Sequence, residues 1–428
     1  MENRYNKYKD SGIAWIGEIP EHWDKNKIIR LFSIIGSGTT PKSSKEDNYI
    51  GSVNWIQSGD INGGYIENCK NTISDTALKE YPTLKIYKAP FIIVAMYGAS
   101  VGNISISNID GCVNQACCVM NETKQNFKYL FYAMNSVKRY LIYKAEGGGQ
   151  PNISQDKIKN TWMPIPPFEE QQSIATYLDQ KCGEIDELIT LQEEIITKLQ
   201  SYKQSVITEA VTKGLDKNVP LKDSGIEWIG KIPEHWNTYQ LKRCSKFING
   251  YAFNSNHFNK DKGIPVIRIG DILNEQISFE NIVYVQENNE LEKFIVHKND
   301  ILIAMSGATV GKIGVYNSDD KVYINQRVGI IRTTQYNYIK RMFSTNGFID
   351  YINLSSAGSA QPNISSDGIL NFHIPVPPLN EQQTIANYLD QKCSEIDELI
   401  SIKQQKIEKL KDYKKSLIFE CVTGKRKV

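Results

Sequence analysis

The sequence predicts an α+β fold built twice over. Two similar strand-rich globular domains are separated by two long helices, which pack on each other as an antiparallel coiled coil in a pseudo-twofold internal repeat. Three observations predict this: one long helical stretch, a second copy of it near the C-terminus, and shorter motifs that recur in the same order around both.

The first helical stretch covers residues 168–212. It contains no proline and a single glycine, Gly183, and is rich in Glu, Gln, Lys, Leu and Ile. Apolar residues recur at Ile174, Leu178, Ile185, Leu188, Ile189, Ile195, Ile196, Leu199 and Val206, which is helical spacing. Pro166-Pro167 precede it and Gly214 follows it, as helix starts and C-terminal caps prefer. At ~1.5 Å per residue it spans about 65 Å, too long to fold into one small domain.

The second copy repeats Glu170-Gln171-Gln172, Ile174-Ala175 and Tyr177 to Cys182 as Glu381-Gln382-Gln383, Ile385-Ala386 and Tyr388 to Cys393, at a constant offset of 211 (381 minus 170). Two long helices with matching seams bury them most simply on each other. Gln192 and Lys403 fall at a core-like position in both copies, where a polar residue favours one register at a cost in stability.

The repeat extends into the globular parts. Ser11-Gly12-Ile13-Ala14-Trp15-Ile16-Gly17 and Pro20-Glu21-His22-Trp23 return as Ser224-Gly225-Ile226-Glu227-Trp228-Ile229-Gly230 and Pro233-Glu234-His235-Trp236. Gly59-Asp60-Ile61 matches Gly270-Asp271-Ile272, and Asn114-Gln115 matches Asn325-Gln326. Ala95-Met96-Tyr97-Gly98 matches Ala304-Met305-Ser306-Gly307, and Gln150-Pro151-Asn152-Ile153-Ser154 matches Gln361-Pro362-Asn363-Ile364-Ser365. The expected division is therefore 1–166, 167–213, 214–377 and 378–428. Val-, Ile-, Cys- and aromatic-rich runs bounded by turn residues predict strands at 53–57, 91–96, 112–119, 265–269, 301–305 and 322–332, and helical spacing predicts a helix at 126–143.

Composition excludes several classes. A chain of 428 residues with 40% hydrophobic and 23% charged residues has ample core. No apolar run approaches the ~20 residues needed to span a bilayer, and the N-terminus lacks the apolar segment of a signal peptide. The eight cysteines form no Cys-x-x-Cys pair and the five histidines are scattered, so reduced thiols in a cytoplasmic protein and no metal site are expected. Net charge is only +2, which does not announce nucleic acid, yet residues 169–198 carry eight acidic and two basic side chains, a helix face suited to a protein partner or simply solvated.

No catalytic constellation emerges. Gly307-Ala308-Thr309-Val310-Gly311-Lys312 resembles a phosphate loop, but only three residues separate its glycines and Ile313 replaces the Mg²⁺-binding Ser/Thr, so a strand-to-strand turn is expected. Ile165-Pro166-Pro167-Phe168 and Val376-Pro377-Pro378-Leu379 lack the leading Asn or Asp of an amino-group methyltransferase loop, and are expected to end a strand and start a helix. His22-Trp23 and His235-Trp236 have no Ser or Cys nucleophile nearby and read as packing residues.

The polar inventory suits base-edge reading instead, because Arg pairs with guanine and Asn or Gln with adenine. At matched positions the halves differ: Gln57 against Arg268, Ala116 against Arg327, Tyr97 against Ser306. The divergent loops set Thr39, Thr40, Lys42, Ser43 and Lys45 against Tyr251, Asn254 and Asn256. The shared Gln150, Asn152, Gln361 and Asn363 fit a turn or a phosphate contact, and Lys42, Lys45, Lys260, Lys262 and Lys312 are phosphate candidates. The alternative for Arg268 and Arg327 is a surface ion pair.

Over nearly its whole length the chain resembles the specificity (S) subunits of type I restriction-modification systems. The resemblance rests on the doubled Ser-Gly-Ile-x-Trp-Ile-Gly opening, the Pro-Pro-x-x-Glu-Gln-Gln-x-Ile-Ala-x-Tyr-Leu-Asp helix entry and the Gln-Pro-Asn-Ile-Ser element. It implies two target recognition domains, each contacting one half of an asymmetric bipartite sequence in double-stranded DNA, with the helices setting the gap. It further implies no catalytic residue, cofactor or membrane, two modification subunits that methylate adenine N6 with S-adenosylmethionine, and restriction subunits that hydrolyse ATP, translocate DNA and cleave it. A stand-alone methyltransferase or nuclease, and a DNA-independent scaffold or carbohydrate binder, are the competing classes.

Overall fold

The computed structural model describes residues 4–145, 152–273, 275–356 and 362–428. By packing, the chain divides into two compact units: residues 1–192 with 405–428, and residues 193–404.

Each unit opens on a hairpin, Tyr8–Asp10 with Glu18–Pro20 and Leu221–Asp223 with Lys231–Pro233. The repeated Ser-Gly-Ile-x-Trp-Ile-Gly motif is its connection, closed by Ser11 N–H donating to the Gly17 carbonyl (3.0 Å) and Ser224 N–H to that of Gly230 (2.9 Å). The first unit then builds a five-stranded sheet in the order Ile34–Gly36, Cys117–Asn121, Phe91–Ala95, Ile104–Ser107, Tyr65–Ile66, antiparallel except for its last pair. A smaller sheet sets Val53–Ile56 between Cys112–Val113, which is parallel to it, and Thr72–Ile73. The second unit repeats the plan. Its sheets are Lys246–Asn249, Val328–Arg332, Ile301–Ala304, Ile313–Val315, and Val283–Val285, Ile264–Ile267, Tyr323–Ile324.

The central strands are apolar throughout because both faces are covered. Strand alternation sends Ile92, Val94, Cys118 and Met120 toward the helix Phe127–Tyr143, while Phe91, Ile93, Ala95, Cys117 and Val119 pack with Ile56, Ile61 and Val113. Ile301 and Ile303 against Leu302 and Ala304 divide the same way in the second unit.

Two expected strands are broken. The stretch 112–119 is Cys112–Val113 and Cys117–Asn121, and 322–332 is Tyr323–Ile324 and Val328–Arg332. In the first, Asn114 Oδ1 accepts the Ala116 N–H (3.1 Å), and in the second Asn325 Oδ1 accepts the Gln326 N–H (2.6 Å), so the chain turns out of one sheet and into the other. The helix matching Phe127–Tyr143 is split into Tyr336–Met342 and Asn346–Ser356.

The long helices run Phe168–Lys213 and Leu379–Val422, each following a strand (Trp162–Ile165, His373–Val376) across the Pro-Pro pair. In the first unit the start of one lies antiparallel to the end of the other: Ile174, Leu178, Cys182 and Ile185 share a core with Leu417, Cys421 and Val422, and Lys414 pairs with Asp186 (2.7 Å). The second unit has the matched arrangement, with Ile207, Ala210 and Val211 against Ile385, Leu389 and Cys393, and Lys203 paired with Asp397 (2.7 Å). Gln192 is buried and Lys403 half-buried. Leu188, expected in the seam, instead faces solvent at 43% exposure. Adjacent residues lie about 100° apart around a helix, so Ile185 and Ile189 take the seam and Leu188 turns away.

Each helix terminus is locked into a globular core. Tyr129 Oη, fully buried, donates between the Pro164 (2.8 Å) and Val422 (3.2 Å) carbonyls, and Tyr338 Oη does the same for Pro375 (3.0 Å) and Val211 (3.3 Å). The helices end in Gly214 (φ 75°) and Gly424 (φ 72°); a Cβ at Gly424 would come within 2.2 Å of Pro20 Cδ.

Candidate nucleic-acid interface

In each unit the turns at one end of the strands converge. Strands Val53–Ile56 and Cys112–Val113 are parallel, so the turns that follow both, at 57–60 and 114–116, lie side by side. Ala95 pairs with Cys117, which brings the turn after Phe91–Ala95 to the same end. Backbone hydrogen bonds tie the group: Asn114 N–H to the Ile56 carbonyl (3.2 Å), Met96 to Ala116 (2.7 Å), Ile153 to Met96 (2.9 Å). Tyr97 bridges to Asn152, and the Thr40 hydroxyl donates to Gln115 Oε1.

The second unit reproduces the backbone bonds. Asn325 N–H donates to the Ile267 carbonyl (2.9 Å), Met305 to Arg327 (2.9 Å) and Ile364 to Met305 (2.9 Å); Ser306 bridges to Asn363 and Tyr251 to Asn325. Gln57, Tyr97, Asn152 and the Thr40 loop thus share one face of the first unit, and Tyr251, Arg268, Arg327 and Asn363 one face of the second.

The side chains differ in availability. Tyr97 and Tyr251 are 38% and 40% exposed, and Tyr251 stacks edge-on against Phe253 at 4.9 Å. Ser306 is buried at 7% exposure, beneath the turn it begins. Thr39 is half-buried, and Ser43 and Lys42 are exposed, the Lys42 N–H donating to Tyr81 Oη (3.2 Å). Lys45 is held by Glu80 (2.7 Å), on the helix Asp75–Glu80. The exposed Asn254 accepts the N–H of exposed Asn256 (3.0 Å) in a local turn. Lys260 and Lys262 precede the strand Ile264–Ile267 and lie at its other end from Arg268. Lys312 is exposed at the end of the Gly307–Thr309 turn, as expected for a strand-to-strand connection, and borders an open cavity of about 720 Å³ that also meets Lys203, Lys340 and Asp397. Its counterpart Asn103 is tied to the Ile61 carbonyl (2.9 Å) and Lys138 (2.7 Å). Gln150 and Gln361 lie outside the described residues.

The structure gives the shared Gly-Asp-Ile motif a purpose that spacing did not reveal. Asp60 Oδ2 accepts the Gln57 N–H at 2.8 Å, and Asp271 Oδ2 accepts the Arg268 N–H at 2.9 Å. The aspartate fixes the backbone of the position at which the two halves differ. Asp271 also accepts Arg268 Nε (3.3 Å), while Nη2 donates to the Asn281 carbonyl (2.6 Å).

A second unit of side chains missed in sequence joins two motifs quoted separately. Glu170 accepts from Trp23 Nε1 (3.0 Å) and Tyr5 Oη (2.9 Å) and meets His22 Nε2 (2.6 Å); Glu381 meets His235 (2.7 Å) and Trp236 (2.9 Å). Burial alone would raise the Glu170 carboxyl, but the hydrogen bonds from His22, Trp23 and Tyr5 outweigh it and hold it below the usual value. Among the described residues no three His, Cys, Asp or Glu side chains are placed to hold a metal ion, and no helix is long and apolar enough to cross a membrane.

The profile of the type I restriction modification DNA specificity domain matches residues 20–201 and again residues 233–412, the two halves of the repeat. The chain belongs to this family. It is 28% identical over 310 residues to the MjaVIII specificity subunit of Methanocaldococcus jannaschii (70% of each chain), and 26% identical over 445 residues to the putative MjaX specificity subunit of the same organism (96% of each). The EcoBI specificity subunit of Escherichia coli is 24% identical over 348 residues, covering 78% of this chain and 73% of that one. The fold is shared with a chain of a type I R-M system solved to explain complex assembly and conformational transition (TM-score 0.72, 17% identity, 94% of this chain and 98% of that one). It is shared also with the HsdS subunit of Thermoanaerobacter tengcongensis (TM-score 0.50, 18% identity, 95% and 98%).

Proposed function

We propose that this specificity subunit reads a bipartite, asymmetric sequence in double-stranded DNA, one half-site with each strand-end face, and carries out no catalysis itself. The residues 1–166 and 214–377 act as the target recognition domains. The long helices, 167–213 and 378–428, set the spacer and recruit two modification subunits, which methylate adenine N6, together with ATP-dependent restriction subunits. One observation carries this reading: the same set of turns is built twice on the same hydrogen bonds, yet its side chains differ at Gln57/Arg268, Ala116/Arg327 and the loops beginning Thr39 and Tyr251. A conserved frame with unlike reading groups is what an asymmetric target requires.

The recruitment reading is supported by the outer faces of the helices. Leu188 and Leu191 are 43% and 48% exposed, and their counterparts Leu399 and Ile402 are 46% and 50% exposed. Apolar positions left open twice, among acidic neighbours such as Glu187 and Glu398, suit two copies of one protein partner. Near-neutral net charge fits a complex whose partners share the phosphate contacts.

The test is to co-express the chain with its modification subunit and map N6-methyladenine in the host DNA. A single two-part motif with a fixed gap is expected. Methylation of an unsplit motif, or of DNA by the purified chain alone with labelled S-adenosylmethionine, would refute the assignment.

A further inference from the structure

The geometry points to separate duties for the two arginines of the second domain's strand-end face: Arg268, braced by Asp271, reads a guanine, and Arg327, unbraced, holds a backbone phosphate. This rests on the proposal above that the strand-end face meets DNA.

The two residues are alike in chemistry and position but not in restraint. Arg268 is anchored three times. Its N–H and its Nε both donate to Asp271 Oδ2 (2.9 and 3.3 Å), and its Nη2 donates to the Asn281 carbonyl (2.6 Å). The Asp271 side chain is 6% exposed, so it is buried and serves the arginine rather than DNA, whereas the Arg268 side chain remains 35% exposed. Of the five N–H donors of a guanidinium, Nε and one on Nη2 are used. Both Nη1 hydrogens and the second Nη2 hydrogen are left, on two neighbouring amino groups. That is the fork needed to span guanine O6 and N7.

Restraint matters because discrimination between bases depends on a fixed fork. A guanidinium already held in place loses little freedom on contact and cannot swing to another acceptor when the base is wrong. Arg327 lacks that support. Its carbonyl accepts the Met305 N–H (2.9 Å), but among the described residues its exposed guanidinium has no ion pair or side-chain acceptor. A mobile cation at the rim follows a phosphate from many directions, adding affinity without sequence information. In the first domain Asp60 braces only the backbone of Gln57, and Ala116 replaces Arg327, so this pairing of duties belongs to the second half-site.

The experiment compares methylation motifs and DNA affinity of complexes carrying Arg268→Gln, Arg268→Lys, Asp271→Asn and Arg327→Gln. Both Arg268 variants should lose about tenfold to a hundredfold discrimination at one guanine of the second domain's half-site and leave the other half-site intact. Asp271→Asn should relax that same position only. Arg327→Gln should keep the motif, weaken binding to all sites alike, and reduce the slope of log affinity against log salt by about 0.9. An unchanged motif with Arg268→Lys and Arg268→Gln, or an altered motif with Arg327→Gln, overturns the assignment. Equal loss at every site with Asp271→Asn would make that residue merely structural and overturn the brace. If the unsubstituted complex gave no two-part motif, the proposed function would fail first, and visibly so.

Discussion

Replacing Arg341 by methionine probes how the second unit fixes its split helix to the long helix Leu379–Val422. Arg341 is 5% exposed. Its Nη1 meets Glu275 Oε2 at 3.3 Å and its Nη2 donates to Asp390. Burial alone would raise the Asp390 carboxyl, but the Arg341 hydrogen bond and the nearby Lys340 charge outweigh it and keep it below its usual value. Removing one partner of a fully buried pair costs about 3–5 kcal/mol. Here Glu275 and Asp390 are 35% and 41% exposed and retain Ser344 (2.8 Å) and Lys340 (3.2 Å), which lowers the figure. Methionine also removes Arg341 Nε, which has no hydrogen-bond partner. The expected loss is therefore about 2 kcal/mol, or roughly 4–8 °C for a unit of this size. Denaturant titration followed by fluorescence of Trp228 and Trp236, with the first unit's transition as internal control, measures it. A variant as stable as the parent would refute the reasoning, since it would mean that the charges sit at no cost without their cation.

The other expected outcomes follow from the helices and their anchors. Glu170→Gln should destabilise the first unit by about 1–2 kcal/mol at pH 7. Because the folded carboxyl sits below its ordinary value, that contribution is present above about pH 4.5 and fades as pH falls through the folded value, so the parent and variant urea midpoints should converge in acid. Leu188→Ser with Leu191→Ser, on an exposed face, should leave melting unchanged within about 0.5 kcal/mol but weaken capture of one modification subunit, read by mass of the assembled complex. Removing matched whole turns from both long helices should shorten the gap in the methylated motif and leave both half-sites as they were.

Much of the frame was legible because the chain states it twice. The Pro-Pro entry, the helix bounds at Phe168 and Leu379, and the positions Gln57/Arg268 and Gln115/Gln326 all follow from aligning the halves. What was not legible depends on distant partners. A run such as Cys112 to Val119 has strand character at every position, and only the Asn114 side chain closing on Ala116 divides it between two sheets. The burial of Ser306 and the capture of Lys45 by Glu80 depend on neighbours 57 and 35 residues away (363 minus 306; 80 minus 45). Glu170 stood in a quoted motif and His22-Trp23 in another, but a 2.6 Å contact across 148 residues has no local signature.

The duplication also explains which positions were free to change. Residues that build the turns are spent on the backbone: Asp60 and Asp271 hold an N–H, Asn114 and Asn325 close a turn, and Gly98 and Gly307 take positive φ. Replacing any of these by a residue that cannot make the same bond or adopt the same φ would move the frame itself, whereas Asp271→Asn still offers an oxygen to that N–H. The aspartate's bond at Gln57 or Arg268 is made to the main-chain N–H, so the side chain there can be exchanged while that bond is kept. The same holds for Ala116 and Arg327, whose carbonyls, not side chains, receive Met96 and Met305. Side chains on this face can therefore diverge between halves without disturbing either core, as the proposed reading of two unlike half-sites requires.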